Sequence, residues 1–497
     1  MILYMDMKIF FPEYDKYMDA NEGDTLLDVI RAAGLPIEAV CSGRGTCGKC
    51  LVNVNGEEQF ACKTPAEDGM KVEILSSQEK QEILTEYKGG DSPASDSGLA
   101  AIAIDVGTTT VVVKMIDTGS GREIGLRAFA NPQRAYGADV LSRINFSMDD
   151  ASLLSGLIRD ALGEAILDIT EDISPEKIII AGNTTMMYLL LGLRCRSLGL
   201  VPFKPEYELH QVYSYKEVFG TEALFCPVKL YPFVSAFVGG DIVSGLVNIE
   251  RHQETGENPS YMLVDMGTNG EIAYRKDSRL ITTSTAAGPA LEGGNITCGM
   301  SGLPGAIYEA AYDGSGKFSS HTIGGKPAEG ICGSGVISLA ARLLDAGLIS
   351  GTGAFTDEGE RVSQNTKRFI IDNDIVFTQK DVREFQLAKG AVRAGIDILI
   401  EEIGEIPGML YLAGGFGQNI DLPSAFRVGL IPRELEGKIR FAGNTSLGGC
   451  VDACMEGGKD SPLPMLSIIA AAEEINLGSH KKFNDKFMET MMFEGDK

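Results

Sequence analysis

The sequence predicts an α/β protein that carries a small α+β domain at its N-terminus. Residues 7–76 alternate short apolar runs (KIFF, TLLDVI, CLVNV, KVEIL) with Gly, Asn and Asp turns, the pattern of a compact β-rich unit. A polar stretch, GGDSPASDSG at 89–98, offers almost nothing that could be buried. Beyond it, one pattern occurs twice: an apolar β-branched run, an Asp, a Gly-Thr turn and a second strand, first in LAAIAIDVGTTTVVVKMID (99–117) and again in SYMLVDMGTNGEIAYR (260–275). Such a duplication predicts two similar α/β lobes facing one another across a cleft.

Taken in order, the small domain spans 1–76 with one helix over 25–33, and 77–98 is a short polar helix followed by a flexible linker. The first lobe is expected over 99–259, the second over 260–480, and a C-terminal helix or tail over 481–497. The 497 residues suffice for several cores. With 44% hydrophobic and 23% charged residues the chain is neither disordered nor fibrous. The formal charge of −25 disfavours nucleic acid and anionic membrane surfaces as partners. Asp6 and Lys8 interrupt the first apolar stretch, and the longest apolar runs, at 186–193 and 466–472, are too short to span a bilayer. The chain therefore reads as cytoplasmic, where ten cysteines point to metal ligands, catalysis or buried small side chains before disulfides.

Cysteine spacing decides among these. CSGRGTCGKC places Cys41, Cys47 and Cys50 in a Gly-rich loop, and Cys62 follows in QFACKT. Iron needs soft ligands, and Gly43, Gly45 and Gly48 let backbone N–H groups approach bridging sulfides, so the four thiolates suit a [2Fe–2S] cluster. The plant-type pattern has four residues between its first two cysteines; here there are five. Bacterial [4Fe–4S] spacing fits less well. A four-cysteine zinc site would use paired C-x₂-C knuckles, and only one is present. Of the other six cysteines, Cys450 and Cys454 would share a helix face; a metal, a second cluster or a redox pair are alternatives there to the plainer reading of small buried residues.

Asp105 and Asp265 each stand where a strand runs into a tight turn, Gly107-Thr108-Thr109-Thr110 in one copy and Gly267-Thr268-Asn269-Gly270 in the other. A carboxylate there can hold Mg²⁺ through water or orient an attacking water, while Gly and Thr donors bind phosphate oxygens. A third apolar strand, LYLAGGFGQNI (410–420), ends in Gly414, Gly415 and Gly417. Together these match the three-part ATP site of the actin, sugar kinase and heat-shock chaperone superfamily (ASKHA, ribonuclease H-like). There, two loops grip the phosphates and the late Gly-Gly turn packs on adenosine. GGDIVSGL (239–246) and GNTSLGGCVDAC (443–454) resemble its two connecting helices. That makes Asp241 a candidate for the Mg²⁺ water shell, with an acidic helix cap as the alternative. Competing motifs fail: GSGKF has Phe318 where a Walker loop needs Ser or Thr, and GGFGQNI has Ile420 in place of the last small residue of a dinucleotide fingerprint.

A [2Fe–2S] domain of β-grasp ferredoxin type, linked to an actin-like ATPase, resembles the reductive activators of corrinoid proteins. AGNTTMMYLLLG (181–192), TAAGPALEGGNITCGM (285–300), GICGSGVIS (330–338) and LAGGFGQN (412–419) extend the resemblance over nearly the whole chain. Larger members of that family carry a further middle segment, whereas here the linker runs straight into Ala100. The resemblance implies an ATP-hydrolysing metallo-reductase that passes one electron from the cluster to cobalt(II), regenerating cobalt(I) in a methyltransferase system. Its cofactors would be [2Fe–2S], ATP and Mg²⁺; its partners, a corrinoid protein and an upstream electron donor, with homodimerisation left open. The chain has no Asp-x-His-x-x-Gly cobalamin signature, since Ser319 precedes His321 and Gly324, so the corrinoid would belong to the partner. Two alternatives share these features: a small-molecule kinase with a regulatory ferredoxin domain, and a simple electron carrier, which would need flavin and nicotinamide fingerprints that are missing.

Overall fold

The structure is a computed structural model that describes residues 7–21, 23–35, 37, 50–75, 98–137, 139–171, 173–209, 212–253, 260–414, 420–456 and 471–493. All of the predicted linker except Gly98 lies outside them, as do Cys41, Cys47, Gly415 and Gly417.

In the N-terminal domain, strands Met7–Phe11 and Lys16–Ala20 pair antiparallel, and Leu51–Val54 lies between Glu57–Phe60 and Val72–Ile74. A bridge from Phe10 to Lys71 joins the two sheets. Helix Leu26–Ala32 starts on a reciprocal cap: the Thr25 hydroxyl accepts the Asp28 N–H, and the Asp28 carboxylate accepts the Thr25 N–H. It buries Leu26, Leu27, Val29 and Ile30 in one core with Ile9, Phe11, Val52, Val54 and Val72.

Each lobe is built on a six-stranded mixed sheet. The first sheet runs Val212–Ser214, Pro227–Leu230, Ile178–Gly182, Ala100–Val106, Thr110–Asp117, Glu123–Ala130. The second runs Ile439–Gly443, Met409–Ala413, Ser260–Met266, Gly270–Lys276, Arg279–Thr285, Ala472–Glu474. In both, the first strand has an antiparallel meander on one side and parallel strands on the other. Asp105 and Asp265 each occupy the sixth position of that strand, so the sequence duplication is a structural one. Between the hairpin and the last helices, the second lobe also carries a three-stranded sheet centred on Ala306–Tyr312 and a hairpin of Arg368–Asp372 with Ile375–Thr378. The C-terminal helix Phe483–Met491 is fastened to the long helix Gln379–Ile403 by buried Lys389, whose Nζ donates to the Thr490 and Met492 carbonyls, both at 2.6 Å.

Two helices join the lobes. The first, Gly240–His252, turns Val243 and Val247 toward the first sheet and Ile242, Leu246 and Ile249 toward the second. The other, Thr445–Met455, follows a strand of the second sheet yet packs Leu447, Cys450, Val451 and Cys454 on the first, over the small side chains Ala101, Ala103 and Ala181. The helices approach so closely that a Cβ on Gly449 would lie 2.0 Å from the Ser244 carbonyl oxygen, one on Gly245 2.8 Å from the Thr445 hydroxyl, and one on Gly448 2.7 Å from Asn248. Polar pairs complete the contact: Ser244 Oγ donates to the Ser446 carbonyl at 2.7 Å and Asn248 Nδ2 to Asp452 at 2.8 Å.

Gly449→Ala should therefore force the helices apart and destabilise the protein by about 1–3 kcal/mol, the usual overpacking range. Gly156→Ala, inside helix Ser152–Thr170 with nothing within 4 Å of the added methyl, should be neutral or stabilising. Thermal unfolding of the two variants beside the parent checks the contrast.

Candidate functional site

The strand-end carboxylates meet at the floor of the cleft between the lobes. Asp105 is held from the opposite lobe: Asn444 Nδ2 donates to one carboxylate oxygen at 2.8 Å and Ser446 Oγ to the other at 2.7 Å. Both donors sit at the start of the second connecting helix, where Asn444 also caps the Leu447 N–H. Asp241 lies in the first turn of the other connecting helix. The cap residue is Gly239, so the Asp241 side chain is not the cap; its Oδ1 accepts the adjacent Ile242 N–H at 2.8 Å. Asp265 faces Gly414, whose φ of +87° excludes most side chains and whose added Cβ would lie 2.6 Å from the Asp265 carboxylate.

Two further carboxylates complete the group. Glu271 stands directly opposite Asp265 in the antiparallel register, and Glu292 accepts the Thr268 hydroxyl at 2.7 Å. All five are half-buried, and desolvation raises every one of their pKa values. Desolvation with the neighbouring Asp105 charge pushes Asp241 up to about 7, and desolvation with Asp241, Asp105 and Glu292 does the same to Asp265. Asp105 is raised less simply, since burial lifts it while its Ser446 and Asn444 hydrogen bonds pull it down. Glu271 is driven well above the ordinary carboxyl range by burial and by the charges of Asp241 and Asp265. A cluster of hard oxygens that repel one another fits a small divalent cation such as Mg²⁺, with waters between metal and protein.

The phosphate-loop candidates are held from behind. The Gly107 carbonyl accepts Asn131 Nδ2 at 2.9 Å, the Thr109 carbonyl accepts the Asn131 N–H at 2.9 Å, and the Thr108 carbonyl accepts Nη2 of buried Arg143 at 2.5 Å. The Thr108 hydroxyl accepts Asn183 Nδ2 at 3.0 Å. In a planar trans peptide the N–H points opposite the C=O, so these bonds turn the Thr108 and Thr109 N–H groups to the other side of the loop. Thr110 begins the next strand. In the second loop the Gly267 N–H donates to the Asn269 carbonyl at 2.9 Å and the Thr268 carbonyl accepts the Gly288 N–H, closing a tight turn before Gly270 starts its strand.

At the cluster end, Cys50 and Cys62 flank the hairpin Leu51–Val54 and Glu57–Phe60. The Ala61 N–H donates to the Cys50 carbonyl at 2.8 Å, which puts both cysteines at the same end of that hairpin. Cys50 is buried and Cys62 half-buried, and soft thiolates at one hairpin end fit two of the four ligands of an iron–sulfur cluster. Cys450 and Cys454 are instead buried in the interlobe packing, where desolvation raises both thiols, Cys454 to about 12.

Several residues of the site were not anticipated: Glu271, Glu292, Asn131, Arg143, Asn183, Asn444 and Ser446. One sequence signal could have found the two asparagine caps. AGNTT at 181–185 and AGNTS at 442–446 are near-identical copies, and each Asn begins a helix while reaching the first phosphate loop or its Asp.

Compared with known families, residues 260–497 match a model described as the C-terminal domain of RACo, the ASKHA domain; 100–254 match the RACo middle region; and 15–77 match a 2Fe-2S iron-sulfur cluster binding domain. The chain belongs to the RACo family. The expectation that a middle segment is missing thus meets a RACo middle-region match on the first six-stranded lobe. Among RACo relatives, the corrinoid activation enzyme RamQ of Eubacterium limosum is 28% identical, over 98% of this chain and 99% of its own. Its alignment runs to 609 positions, so it carries segments that this shorter chain lacks. A [Co(II) methylated amine-specific corrinoid protein] reductase of Methanosarcina barkeri is 26% identical, over 78% of this chain and 76% of its own. A solved structure titled reductive activator for corrinoid,iron-sulfur protein superposes with a TM-score of 0.66 at 25% identity, covering 98% of both chains.

The raised carboxyls make the protein's stability pH-dependent. Both Asp241 and Asp265 titrate near 7 when folded and near 3.8 when unfolded. Their contribution is fully present below the lower value and is lost as pH rises through the higher one. In the presence of a chelator, Asp265→Asn, which mimics the neutral acid, should be more heat-stable than the parent above pH 7, and the difference should vanish toward pH 4. Unfolding temperatures across that range provide the check.

Proposed function

We propose that this protein reactivates a corrinoid protein by returning one electron to cobalt(II), using ATP bound between its lobes. The observation that carries the reading is the fusion itself: one chain joins a [2Fe–2S] domain to an actin-like cleft floored by Asp105, Asp241 and Asp265. The family match and the corrinoid-directed activities in the names of both relatives support it.

When bound, the cluster supplies a one-electron donor and Mg²⁺ neutralises phosphate charge. Cys41, Cys47, Cys50 and Cys62 would hold the cluster. Asp105, Asp241 and Asp265 would hold the metal through water, and Glu271, opposite Asp265, lies where it could orient an attacking water. Gly107, Thr108, Thr109 and Thr110 with Gly267, Thr268, Asn269 and Gly270 would receive the phosphates, and Gly414, Gly415 and Gly417 the adenosine side. Plant-type clusters lie near about −400 mV, and each ~59 mV of an uphill one-electron step is a tenfold in equilibrium constant. Coupling to nucleotide state would offset that deficit if the lobes bind the partner differently in the ATP and ADP forms. The corrinoid belongs to the partner, an upstream donor reduces the cluster, and a cytoplasmic setting suits a chain with ten cysteines. Among the described residues no helix is long and apolar enough to cross a membrane.

The decisive test mixes the reduced protein with a cobalt(II) corrinoid protein, with and without ATP, and follows the visible spectrum. An ATP-dependent rise of the cobalt(I) spectrum is expected; an unchanged spectrum, or one indifferent to ATP, overturns the reading. At the cluster, Cys47→Ser or Cys62→Ser should lose the red-brown colour and leave nucleotide binding intact, with two irons per parent chain by metal analysis. In the cleft, Asp105→Ala and Asp265→Ala should each lower ATP hydrolysis by about 100-fold or more, and the double variant should be little worse than either single one.

A further inference from the structure

The segment from Asn131 to Arg143 touches three parts of the molecule at once. Its two ends hold the first phosphate loop, Asn131 on Gly107 and Thr109, Arg143 on Thr108. Between them, the tight helical turn Pro132–Ala135 is fixed to the lobe by buried Gln133, whose Nε2 donates to the Leu154 carbonyl at 2.9 Å. Arg134 lies close enough to Glu292 of the second lobe to pull its pKa down, and close enough to Arg143 to repel it. The outer side of the same turn meets the ferredoxin domain. Arg31, in the last turn of helix Leu26–Ala32, donates Nε to the Ala135 carbonyl at 2.7 Å and stacks its guanidinium 5.1 Å from the Tyr136 ring centre. Tyr136 returns a hydrogen bond from its hydroxyl to the Arg31 carbonyl at 3.4 Å.

We propose that Ala135 and Tyr136 form a docking platform for the ferredoxin domain, and that nucleotide in the cleft and Arg31 on the platform strengthen one another's binding. The sign follows from charge. Arg134 and Arg143 repel one another across the turn, Arg31 adds a third positive charge at its outer side, and an anionic nucleotide at Gly107 to Thr110 would offset that accumulated charge. The stiffness of the turn transmits the rest, because the residues that orient the loop, Asn131 and Arg143, flank the residues that receive Arg31, Ala135 and Tyr136, within one short segment. Coupling of this kind is reciprocal: if nucleotide favours docking, docking favours nucleotide by the same factor. The inference rests on the ATP-site reading above and extends it to a contact between domains.

The test titrates the intact, cluster-loaded chain with a fluorescent non-hydrolysable ATP analogue. Arg31→Gln removes the docking group, and Lys8→Gln removes an equal charge from an exposed position elsewhere on the ferredoxin domain. Retained red-brown colour shows that each variant domain is folded. Arg31→Gln is expected to weaken the analogue by about fivefold or more, the lower end of ordinary allosteric coupling, while Lys8→Gln stays within about twofold of the parent. If Arg31→Gln also stays within that margin, or Lys8→Gln weakens binding equally, the docking coupling is overturned and the ATP-site reading stands. Failure of the parent chain to bind the analogue overturns both.

Discussion

The geometry of the cleft depends on how closely two helices cross. Gly245, Gly448 and Gly449 let Gly240–His252 and Thr445–Met455 meet nearly backbone to backbone, with the Ser244 carbonyl where a side chain of Gly449 would be. Gly240–His252 also buries apolar side chains on both sheets and Thr445–Met455 on the first, so the crossing ties the two lobes together. The consequence reaches the carboxylates directly. Asn444 and Ser446, which grip Asp105, are the cap and second residue of one crossing helix, and Asp241 is the second residue of the other. A slide of one helix along its neighbour would therefore move Asp241 relative to Asp105, and polar ties such as Asn248 to Asp452 resist that slide.

Gathering five desolvated carboxylates at that crossing runs against stability. Burial disfavours each charge, and each charge disfavours the next, which is why Asp241 and Asp265 hold their protons to about pH 7. A core selected for stability alone would place apolar groups there. Such clusters persist where a cation and an anionic ligand change the balance, so on the proposed reading the same electrostatics that weaken the empty fold would give the cleft its affinity for a cation.

Much of this was legible in the sequence because it is written in local signals. The duplicated Asp and Gly-Thr turn predicted two lobes, and both Asp residues occupy the same strand position. The helix over 25–33, read from its apolar run, is Leu26–Ala32 in the structure, and Cys50 and Cys62, picked out by cysteine spacing, fall at one end of a hairpin. What escaped was the set of long-range partners. Glu271 reads as an ordinary strand residue until strand pairing sets it against Asp265, and Arg143 reads as a surface charge on a short helix until packing buries it behind Thr108. Glu292 gains its role only through Thr268, 24 residues earlier. Such assignments depend on which surfaces the fold brings together, and composition and periodicity carry no record of that.

The two contacts between moving parts differ in strength in a way that suits an electron carrier tethered to a nucleotide site. The interlobe crossing combines buried apolar faces, close backbone contact and several buried hydrogen bonds. Among the described residues the ferredoxin domain meets the first lobe around Arg31, with its guanidinium over the Tyr136 ring, its Nε donating to the Ala135 carbonyl and its own carbonyl accepting the Tyr136 hydroxyl. A partly exposed cation–π contact is worth about 0.5–1 kcal/mol, a hydrogen bond to a charged group about 1.5–3 kcal/mol and a neutral one about 0.5–1.5 kcal/mol. Before the entropy of docking is subtracted, these contacts favour the docked form by about a hundredfold to ten-thousandfold, at 1.4 kcal/mol for each factor of ten. Ordering the Arg31 side chain and the domain removes part of it. What remains is a preference that modest changes of charge in the cleft can shift, whereas the helix crossing stays fixed. On the proposed function, a domain held in this way could leave its platform to deliver an electron and return to it, since the contacts that hold it are few beside those of the helix crossing.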